Sequence, residues 1–492
     1  MVAMHFFTKS KYITAVKCPK ALWLSEHKPE AAEDTFNEHP LAEGVEVGEL
    51  ARRYFGEYEF VEYRSNLMEM VKETERLLAS GAAVIAEASF IYNGLFCSVD
   101  LLRKTSLGYE IIEVKSGTKI KDIYKDDIAF QYYVLSSSGL NITGAYLMHL
   151  NKNYIRNGGL DLQELFILTD YTEGIVSEQK YIVKKIQYAR NIAEQNNEIE
   201  VSLSDCPNIK ECVFSAYCKK ELPSPSIFDI AGMRNDKKQK YFADGVESFE
   251  DVLYKAKLNE AQTKQVKAEL NDVEYIEKES IKAFLDKVKY PVYYIDFESV
   301  KYAVPRFDGI NPYKEIPFQF SIHVQDCENG DLKHYSFLAD AGRDPRREFA
   351  EKLCEIIPKN VNCIVYHKSA EIRMLMPLAE MFPDLREHLL NICENIVDIE
   401  EPFRKKDYYC KAMKGLSSVK VVLPALFPNC PELDYNNLEG ANNGLAASHA
   451  FWGMDKMSED EKEKTRKELL EYCKLDTFAM VKIHEKLKII LD

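Results

Sequence analysis

A single compositional break constrains how this sequence can fold. Residues 219–229 read KKELPSPSIFD, and two prolines among serines leave this stretch without a helix or strand period. On each side of the break, short apolar runs alternate with helix-like segments. With 492 residues, of which 46% are hydrophobic, the chain can bury more than one core. These patterns predict an α/β protein built from separate domains.

The apolar runs give a coarse order of elements within these domains. The predicted elements are strands 83–90, 94–102, 109–114 and 144–150 with helix 126–135, then strands 291–297 and 318–324 with helix 458–491. Residues 236–284 are rich in lysine, glutamate and glutamine and are predicted to form a small helical connector. The predicted domains are 1–222, a linker and connector at 223–288, and 289–492.

The net charge and the distribution of apolar residues argue against several classes of function. The net charge of −15, from 79 acidic and 64 basic residues, argues against a protein that coats nucleic acid by bulk charge. Nucleic acid could still be a substrate if local basic patches and divalent metals meet it. Residues 1–20 contain no apolar run typical of a signal peptide, and the longest uncharged stretch, 128–151, is broken by polar residues. We therefore expect a cytoplasmic protein with no membrane partner and with reduced thiols.

The first group of candidate catalytic residues is Asp100, Glu113 and Lys115. Asp100 ends one predicted strand, and Glu113 and Lys115 end the next, where residues i and i+2 share a face. Two carboxylates on one face can hold Mg²⁺ or Mn²⁺, and a lysine beside them can activate a water or neutralise phosphate charge. The pattern alone also fits a salt bridge at a strand edge. Three further lysines follow within ten residues, which favours metal-assisted phosphodiester hydrolysis.

These residues resemble the motifs of PD-(D/E)XK nucleases, within the RecB-like branch that includes CRISPR-associated exonucleases. The motifs are VDLL, IIEVKSGT and DIAFQYY, and the resemblance covers about the first 220 residues. It implies a restriction-endonuclease-like domain in which Asp100 and Glu113 bind metal, Lys115 is the catalytic lysine and Gln131 is the glutamine of the fourth motif.

Two departures from this branch concern single positions. The branch often carries a histidine after an early glycine, but GVEVGELARR has none, and Glu49 is the nearest candidate metal ligand there. The tyrosine usually found four positions after the glutamine is Leu135 in this chain. These departures bear on metal affinity and rate in the N-terminal domain.

Four cysteines form a second group of candidate ligands. Cys206, Cys212 and Cys218 recur every six residues just before the linker, and Cys18 lies near the N-terminus. Four thiolates suit tetrahedral zinc or an iron–sulfur cluster, and their spacing does not distinguish the two; buried, inert cysteines are the alternative. Iron–sulfur members of the RecB-like branch place one cysteine before the nuclease core and three after it. That resemblance implies a structural 4Fe–4S cluster.

The third group of candidate residues lies in the second half of the chain. Asp296 and Glu298 end the strand PVYYIDFES, Glu371 follows the next strand at the start of a helix, and Tyr472 and Asp476 are one helical turn apart. Four carboxylates in one pocket require cations, so the pattern predicts a two-metal site for phosphodiester cleavage. Tyr472 would position the attacking water or help to deprotonate it.

The order of this third group resembles the tyrosine variant of the DEDD exonucleases, which have an RNase H-like (DnaQ-like) fold. The resemblance covers residues 290–491 and implies 3′→5′ exonuclease activity. Glu371 stands where the second motif normally has aspartate, which makes that ligand one methylene longer. Lys420, in GLSSVKVVLPAL, is expected to be a solvated surface lysine, with contact to phosphate as the alternative.

Together these groups predict a metal-dependent nuclease with two active centres, acting on DNA more readily than on RNA. The pairing of both domains in one chain resembles a bacterial or archaeal family of predicted nucleases. One alternative is a nucleic-acid-binding protein in which one centre, more readily the N-terminal one, is degenerate. A second alternative is an RNA-processing exonuclease, since DEDD enzymes use either polymer.

Overall fold

The computed structural model describes residues 6–33, 39–207 and 209–491, and the side chains of 39–41 are outside this description. The chain forms an α/β protein, as the sequence predicts, and it divides into two compact units. Unit 1 comprises Met1–Glu221 and Tyr302–Lys314, and unit 2 comprises Leu222–Lys301 and Glu315–Asp492. Within the described ranges, none of the helices combines the length and apolar character needed to cross a bilayer.

Unit 1 is built around one seven-stranded mixed sheet with helices on both faces. Its elements are β1 Phe7–Thr8, α1 Lys9–Lys17, α2 Pro19–His27, α3 His39–Arg52, β2 Glu59–Phe60, α4 Leu67–Ser80, β3 Val84–Tyr92, β4 Leu95–Lys104, β5 Tyr109–Lys115, α5 Ile123–Ser137, β6 Ile142–Leu150, α6 Leu162–Leu165, β7 Phe166–Asp170, α7 Thr172–Glu194 and α8 Ser215–Lys219. The strand order is β2-β3-β4-β5-β6-β7, with β1 added beside β4. The four strands and the helix predicted for this half are confirmed, and the helix is two to three residues longer at each end.

Alternate side chains along the central strands of unit 1 pack into two separate apolar cores, one on each face of the sheet. Ile85 and Leu102 pack on the face covered by α1, α2, α4, α5 and α7. Ala86 and Leu101 pack on the opposite face, with Val47 of α3. This two-sided burial follows from the alternation of side chains along a strand and fixes the strand register.

Residues 302–314, which we call the strap, complete the second of these cores although they lie far along the chain. Ala303 and Val304 are buried against the sheet of unit 1. The Arg156 guanidinium donates hydrogen bonds to the Pro305 and Arg306 carbonyl oxygens, both at 2.9 Å. The strap falls inside the region predicted as 289–492, so the sequence-based boundary does not describe the packing of this segment.

We expect Arg156→Ala to raise hydrogen exchange of the strap amides about tenfold or more. The guanidinium holds two backbone carbonyls, and hydrogen bonds to charged groups are worth about 1.5–3 kcal/mol. Exchange measured by mass spectrometry on strap peptides of the full chain tests this. Arg53→Ala, which removes an exposed arginine of the same unit, is the control. Unchanged exchange in Arg156→Ala would assign the strap's attachment to apolar packing alone.

Unit 2 contains a five-stranded sheet, a two-stranded sheet and eleven helices among its described residues. Its elements are α9 Asn235–Ala243, α10 Phe249–Lys255, α11 Glu260–Asn271, β8 Tyr275–Ile276, α12 Lys278–Leu285, β9 Val292–Lys301, β10 Glu315–Gln325, β11 Leu332–Leu338, α13 Arg346–Ile356, β12 Asn362–Val365, α14 Lys368–Met381, α15 Arg386–Glu394, β13 Ile396–Asp398, α16 Glu401–Arg404, β14 Tyr408–Tyr409, α17 Val419–Leu426, α18 Gly444–Gly453 and α19 Glu459–Ile489. The predicted strands and the long last helix are confirmed.

The larger sheet of unit 2 has the order β11-β10-β9-β12-β13. β9, β10 and β11 are antiparallel, whereas β12 and β13 run parallel to β9 and to each other. β12 pairs with β9 only as far as Tyr294, so the rest of β9 extends beyond it. The predicted connector is helical, as expected, and belongs to unit 2, where α9–α11 surround a small apolar core.

Candidate active sites

Asp100 and Glu113 lie where two strands of unit 1 separate. Pairing of β4 with β5 runs from Lys104↔Tyr109 to Leu101↔Ile112 and stops there. Asp100 Oδ2 instead accepts a hydrogen bond from the Val114 backbone N–H at 2.6 Å. The gap between the strands exposes one face of both carboxylates to neighbouring side chains.

Two lysines and a glutamine surround the Glu113 carboxylate, which is 1% exposed. Lys9 Nζ lies 3.0 Å from both of its oxygens, because β1 pairs with the start of β4 and delivers Lys9 into the gap. Lys115 Nζ donates to Oε1 at 2.6 Å, and Gln131 Nε2 donates to Oε2 at 2.5 Å. Lys115 also pairs with Asp127 at 3.0 Å. The structure therefore brings together Asp100, Glu113, Lys115 and Gln131.

At this site, burial and the neighbouring charges shift the pKa of each ionisable group in opposite or additive directions. Burial raises the pKa of Glu113, but Lys9 and Lys115 outweigh it and hold that pKa well below its usual value. Burial, and then the Glu113 charge, raise the pKa of Asp100. Burial lowers the pKa of Lys9 and Lys115, yet Glu113 raises both above their usual value. Glu113 is thus a carboxylate already neutralised by the protein's own cations.

Glu49, proposed from sequence as a metal ligand, lies on an exposed part of α3. The acidic side chain that couples to the site from the neighbouring strand is Glu87 of β3. Burial raises the pKa of Glu87, while Arg52 and Lys9 lower it and Glu113 raises it further. Glu87 also has a positive φ of 56°, a conformation that is uncommon for a non-glycine residue in a strand. Glu87 is therefore a better placed carboxylate than Glu49.

The four predicted cysteine ligands converge in unit 1. Cys18 joins α1 to α2, Cys218 lies in α8, and Cys206 and Cys212 lie in the segment before α8. Burial raises the pKa of the Cys218 thiol, and Cys212, Cys18 and Cys206 raise it further, against the opposing charge of Lys20. No three of these described sulfur atoms lie within 4.8 Å of one another. A tetrahedral zinc site with Zn–S bonds of about 2.3 Å would bring its sulfurs to about 3.8 Å.

In unit 2, three elements bring the predicted carboxylates to one place. Asp296 and Glu298 lie on the part of β9 that extends beyond β12, beside a register shift between Pro317 and Gln319 of β10. Such bulges re-aim strand side chains and recur next to active sites. Glu371 lies in the first turn of α14, which begins just after β12. Helix α19 adds Tyr472 and Asp476, both buried.

Contacts between these side chains define the site. The Tyr435 hydroxyl donates to Asp476 Oδ1 at 2.6 Å, and Tyr472 lies close enough to lower the pKa of Asp476. The Cys473 thiol donates to Asp296 Oδ2 at 3.5 Å. Glu371 Oε2 and Asp476 Oδ2 are buried and have no hydrogen-bond partner among the described residues. Buried oxygens without donors are what a cation site leaves for its ion.

Burial is the main cause that raises the pKa of these carboxyls. For Asp296, burial is followed by the charges of Asp476, Glu298 and Glu371, which raise its pKa further. The pKa of Glu298 and of Asp476 is raised mainly by burial, and Lys420 opposes both shifts. Burial also raises the pKa of Tyr472 far above its usual value, with Asp476 and Glu298 adding to the shift.

Lys420, expected from sequence to be a solvated surface lysine, is half-buried beside the carboxylates of unit 2. Its ammonium group donates to the Asn442 carbonyl oxygen at 2.6 Å and lies 5.0 Å from the ring centroids of both Tyr435 and Tyr472. Burial lowers the pKa of Lys420, and Asp476, Glu298 and Asp296 oppose this shift. Lys420 lies in the first turn of α17, whose apolar residues Val422, Leu423 and Leu426 are buried, so its side chain starts beside a packed helix face.

A cavity of about 890 Å³ opens beside Lys420 and Tyr435. Its walls are rich in asparagine and proline from the loop between α17 and α18. The asparagines are Asn429, Asn436, Asn437, Asn442 and Asn443. Side-chain amides offer both donors and acceptors, so the cavity presents polar groups next to the carboxylates.

Sequence reasoning missed several residues of both sites. Lys9 precedes Glu113 by 104 residues, and no local pattern links them. Two of the missed residues could have been found from the motif helices. Asp127 lies one helical turn before Gln131, and Cys473 directly follows Tyr472. Tyr435 lies in a single 3₁₀ turn, Tyr435–Asn437, whose position beside α19 is defined only by the fold.

Comparison with known proteins adds relatives without an assigned activity. Residues 293–418, which include Asp296, Glu298 and Glu371, match a family described as "Domain of unknown function (DUF2779)". The chain is 23% identical over 409 residues to "Uncharacterized protein MG366 homolog" of Mycoplasma pneumoniae, covering 71% of this chain and 60% of that protein. It is 26% identical over 227 residues to "Uncharacterized protein UU173" of Ureaplasma parvum, covering 42% of this chain and 32% of that protein. The chain thus spans less than two thirds of either relative.

The Glu371 carboxyl makes the stability of the metal-free protein depend on pH. Burial raises its pKa from 4.5 to about 8, so the folded state holds the proton more tightly than the unfolded state. Stability is therefore lost as the pH rises from about 4.5 to about 8. We expect Glu371→Gln, which has no proton to lose, to stabilise unit 2 by on the order of 3 kcal/mol above that range.

Denaturant unfolding in chelator at about pH 5 and about pH 9 tests this expectation. A Trp23→Phe background leaves Trp452 as the single tryptophan, which reports on unit 2. Glu348→Gln, at an exposed position of α13, is the control. Equal pH dependence in Glu371→Gln and Glu348→Gln would show that Glu371 ionises without cost.

Proposed function

We propose that this protein is a cytoplasmic, metal-dependent nuclease with one active centre in each unit, acting on DNA strands or DNA ends. The observation that carries the proposal is the convergence of Asp296, Glu298, Glu371 and Asp476 in one buried site. Buried carboxyl groups that repel one another and lack donors must either keep their protons at neutral pH or bind cations, and a cation satisfies several of them at once. Oxygen-only clusters of this kind suit Mg²⁺ or Mn²⁺.

The four carboxylates of unit 2 would hold the ions, which would stabilise charge on the attacking and leaving oxygens of a phosphodiester. The protein's own groups supply the remaining functions. Tyr472, buried beside Asp476 on α19, would position the attacking water or help to deprotonate it. Lys420, facing Glu298 and Asp476, can neutralise the phosphate that enters.

Two further features support a nucleic-acid substrate at this centre. The asparagine-lined cavity beside Lys420 offers hydrogen bonds to bases, sugars or phosphates. The sheet of unit 2, with three antiparallel strands followed by two parallel ones, agrees with the RNase H-like fold that the sequence motifs imply. This combination favours the DEDD-type exonuclease reading for unit 2.

In unit 1, the arrangement of Asp100, Glu113, Lys115 and Gln131 supports a PD-(D/E)XK-type centre. Asp100 and Glu113 would hold the metal ion, and Lys115 would orient the attacking water. Glu113 is already bound by Lys9, so an ion must compete with that ammonium group. This contact favours a second candidate for unit 1, a site that binds nucleic acid without cleaving it.

We propose that Cys18, Cys206, Cys212 and Cys218 hold a 4Fe–4S cluster. Cys212, Cys18 and Cys206 all act electrostatically on the Cys218 thiol, and no three of the four described sulfur atoms lie within 4.8 Å of one another, whereas tetrahedral zinc would bring its sulfurs to about 3.8 Å. A four-iron cluster held by cysteine thiolates is a larger group with the same donor set. It would connect the start of unit 1 with its last helix, so its role would be structural.

Degradation of end-labelled single-stranded DNA in Mn²⁺ tests the two-centre proposal. We expect Lys115→Ala and Asp296→Asn each to remove a different product pattern, and each lost pattern to fall by about 10²-fold or more. Labels at the 5′ and 3′ ends report the polarity of each pattern.

Matched controls are Lys184→Ala, at an exposed lysine of α7, and Asp331→Asn, at an exposed aspartate of unit 2. If one variant abolishes all cleavage, the other unit is a binding module. Binding without cleavage of DNA and RNA in both Mg²⁺ and Mn²⁺ would replace the nuclease proposal with the binding protein. Cleavage of RNA alone would select the RNA-processing alternative.

Purification without oxygen tests the cluster. We expect a brown protein that contains about four iron atoms, and we expect Cys212→Ser to lose the colour and to destabilise unit 1 by several kcal/mol. Cys327→Ser, at an exposed cysteine of unit 2, is the control. A colourless protein with stoichiometric zinc would replace the iron–sulfur assignment, and an unchanged melting temperature in Cys212→Ser would exclude a structural metal.

A further inference from the structure

The unit 2 site contains a thiol that the two-metal reading does not use. Cys473 follows Tyr472 on α19 and is fully buried. Its sulfur lies 3.5 Å from Asp296 Oδ2. Asp296, Glu298 and Cys473 each offer one ligand atom, and these three atoms lie within 4.8 Å of one another. That spread fits an ion with bonds of about 2.0–2.3 Å to oxygen and sulfur.

A second observation shows that carboxylate oxygens of this site have no hydrogen-bond donor. Asp476 Oδ2 and Glu371 Oε2 are buried without a hydrogen-bond partner in the described chain. Glu371 is only 3% exposed, and both groups act on Asp296 through their charge. The triad of Asp296, Glu298 and Cys473 therefore lies beside further carboxylate oxygens that a cation could satisfy.

Ligand chemistry separates the ions that such a triad can take. Mg²⁺ is a hard ion that binds oxygen and keeps its waters, so it gains nothing from a sulfur ligand. Zn²⁺ and Co²⁺ bind thiolates together with carboxylates. A thiol beside two carboxylates thus adds affinity for thiophilic ions at a place where the proposed reaction needs Mg²⁺ or Mn²⁺.

We propose that Asp296, Glu298 and Cys473 form a mixed oxygen–sulfur site for Zn²⁺, and that Zn²⁺ bound there inhibits unit 2. Binding forms a Zn–S bond and releases the thiol proton to solvent, with no change of oxidation state. The ion shares Asp296 and Glu298 with the ions of the proposed reaction, so the two cannot bind together. The inhibitory role rests on the proposed nuclease function, whereas binding of the ion does not.

The experiment uses the full chain and Co²⁺ as a spectroscopic substitute for Zn²⁺. We expect wild-type protein to show sulfur-to-cobalt charge-transfer absorption that Zn²⁺ abolishes by displacement. Co²⁺ bound to Cys18, Cys206, Cys212 and Cys218 would contribute one part of this absorption. The remaining part comes from Co²⁺ bound to Cys473, and Cys473→Ser should lose it. A Cys212→Ser chain, measured in parallel, should keep the Cys473-dependent part. Cys363→Ser, at a buried cysteine of the same unit, is the matched control.

A second readout follows zinc inhibition relative to each variant's own rate in Mn²⁺. We expect the half-inhibitory Zn²⁺ concentration to rise about tenfold or more in Cys473→Ser and to stay unchanged in Cys363→Ser. If Cys473→Ser does not fold, Cys473→Ala and Asp296→Asn serve for the cobalt measurement, and both should lose the same absorption.

The outcomes distinguish this inference from the proposed function. Cobalt absorption that is identical in wild type, Cys473→Ser and Cys473→Ala would overturn the mixed site and leave Cys473 as a hydrogen-bond donor that orients Asp296. Loss of the absorption in a chain that cleaves no nucleic acid would support the metal site and reject the nuclease. Loss of the absorption with unchanged zinc sensitivity would overturn the inhibitory role.

Discussion

The repulsion between buried carboxylates is the constraint on which both sites depend. A carboxylate taken from water must find a cation or keep a proton, because its desolvation cost is several kcal/mol. The two units meet this cost differently. Glu113 is neutralised by Lys9 and Lys115, whereas burial and neighbouring carboxylates raise the pKa of Asp296 and Glu298, and Lys420 only partly opposes the shift of Glu298. The same residue types therefore give one site whose charge the protein's own lysines neutralise and one site whose carboxyls must keep protons or bind cations.

The fold explains how each arrangement arises. In unit 1, β4 and β5 separate at Asp100, and the short strand β1 occupies the other end of β4, which directs Lys9 into the gap. Helix α1 runs from Lys9 to Lys17 and ends at Cys18, so one nine-residue helix connects the site with the cysteine group. In unit 2, β9 extends past β12, so no neighbouring strand covers Asp296 and Glu298 on that side.

Local patterns predicted the elements and the motif residues, because strand alternation and helical spacing act over a few residues. The strands that carry Glu113 and Asp296, and the helix that carries Tyr472 and Asp476, follow from such patterns. Long-range partners could not be predicted in this way. Lys9 reaches Glu113 only because β1 pairs with β4, and the strap joins unit 1 only through tertiary packing. Glu49 was chosen by proximity in sequence to a missing motif residue, whereas Glu87 is brought near by strand pairing.

The difference in charge between the sites also determines how readily each would take up a divalent ion. In unit 2, an incoming ion relieves repulsion between Asp296, Glu298, Glu371 and Asp476 and displaces only protons. In unit 1, the ion must displace the Lys9 ammonium group from both oxygens of Glu113, and that lysine must then be resolvated or find the substrate phosphate. A phosphate arriving with the ion would supply that new partner. Under the proposed function, ion binding in unit 1 would therefore be coupled to nucleic acid through Lys9, whereas ion binding in unit 2 would be driven by the protein's own carboxylates.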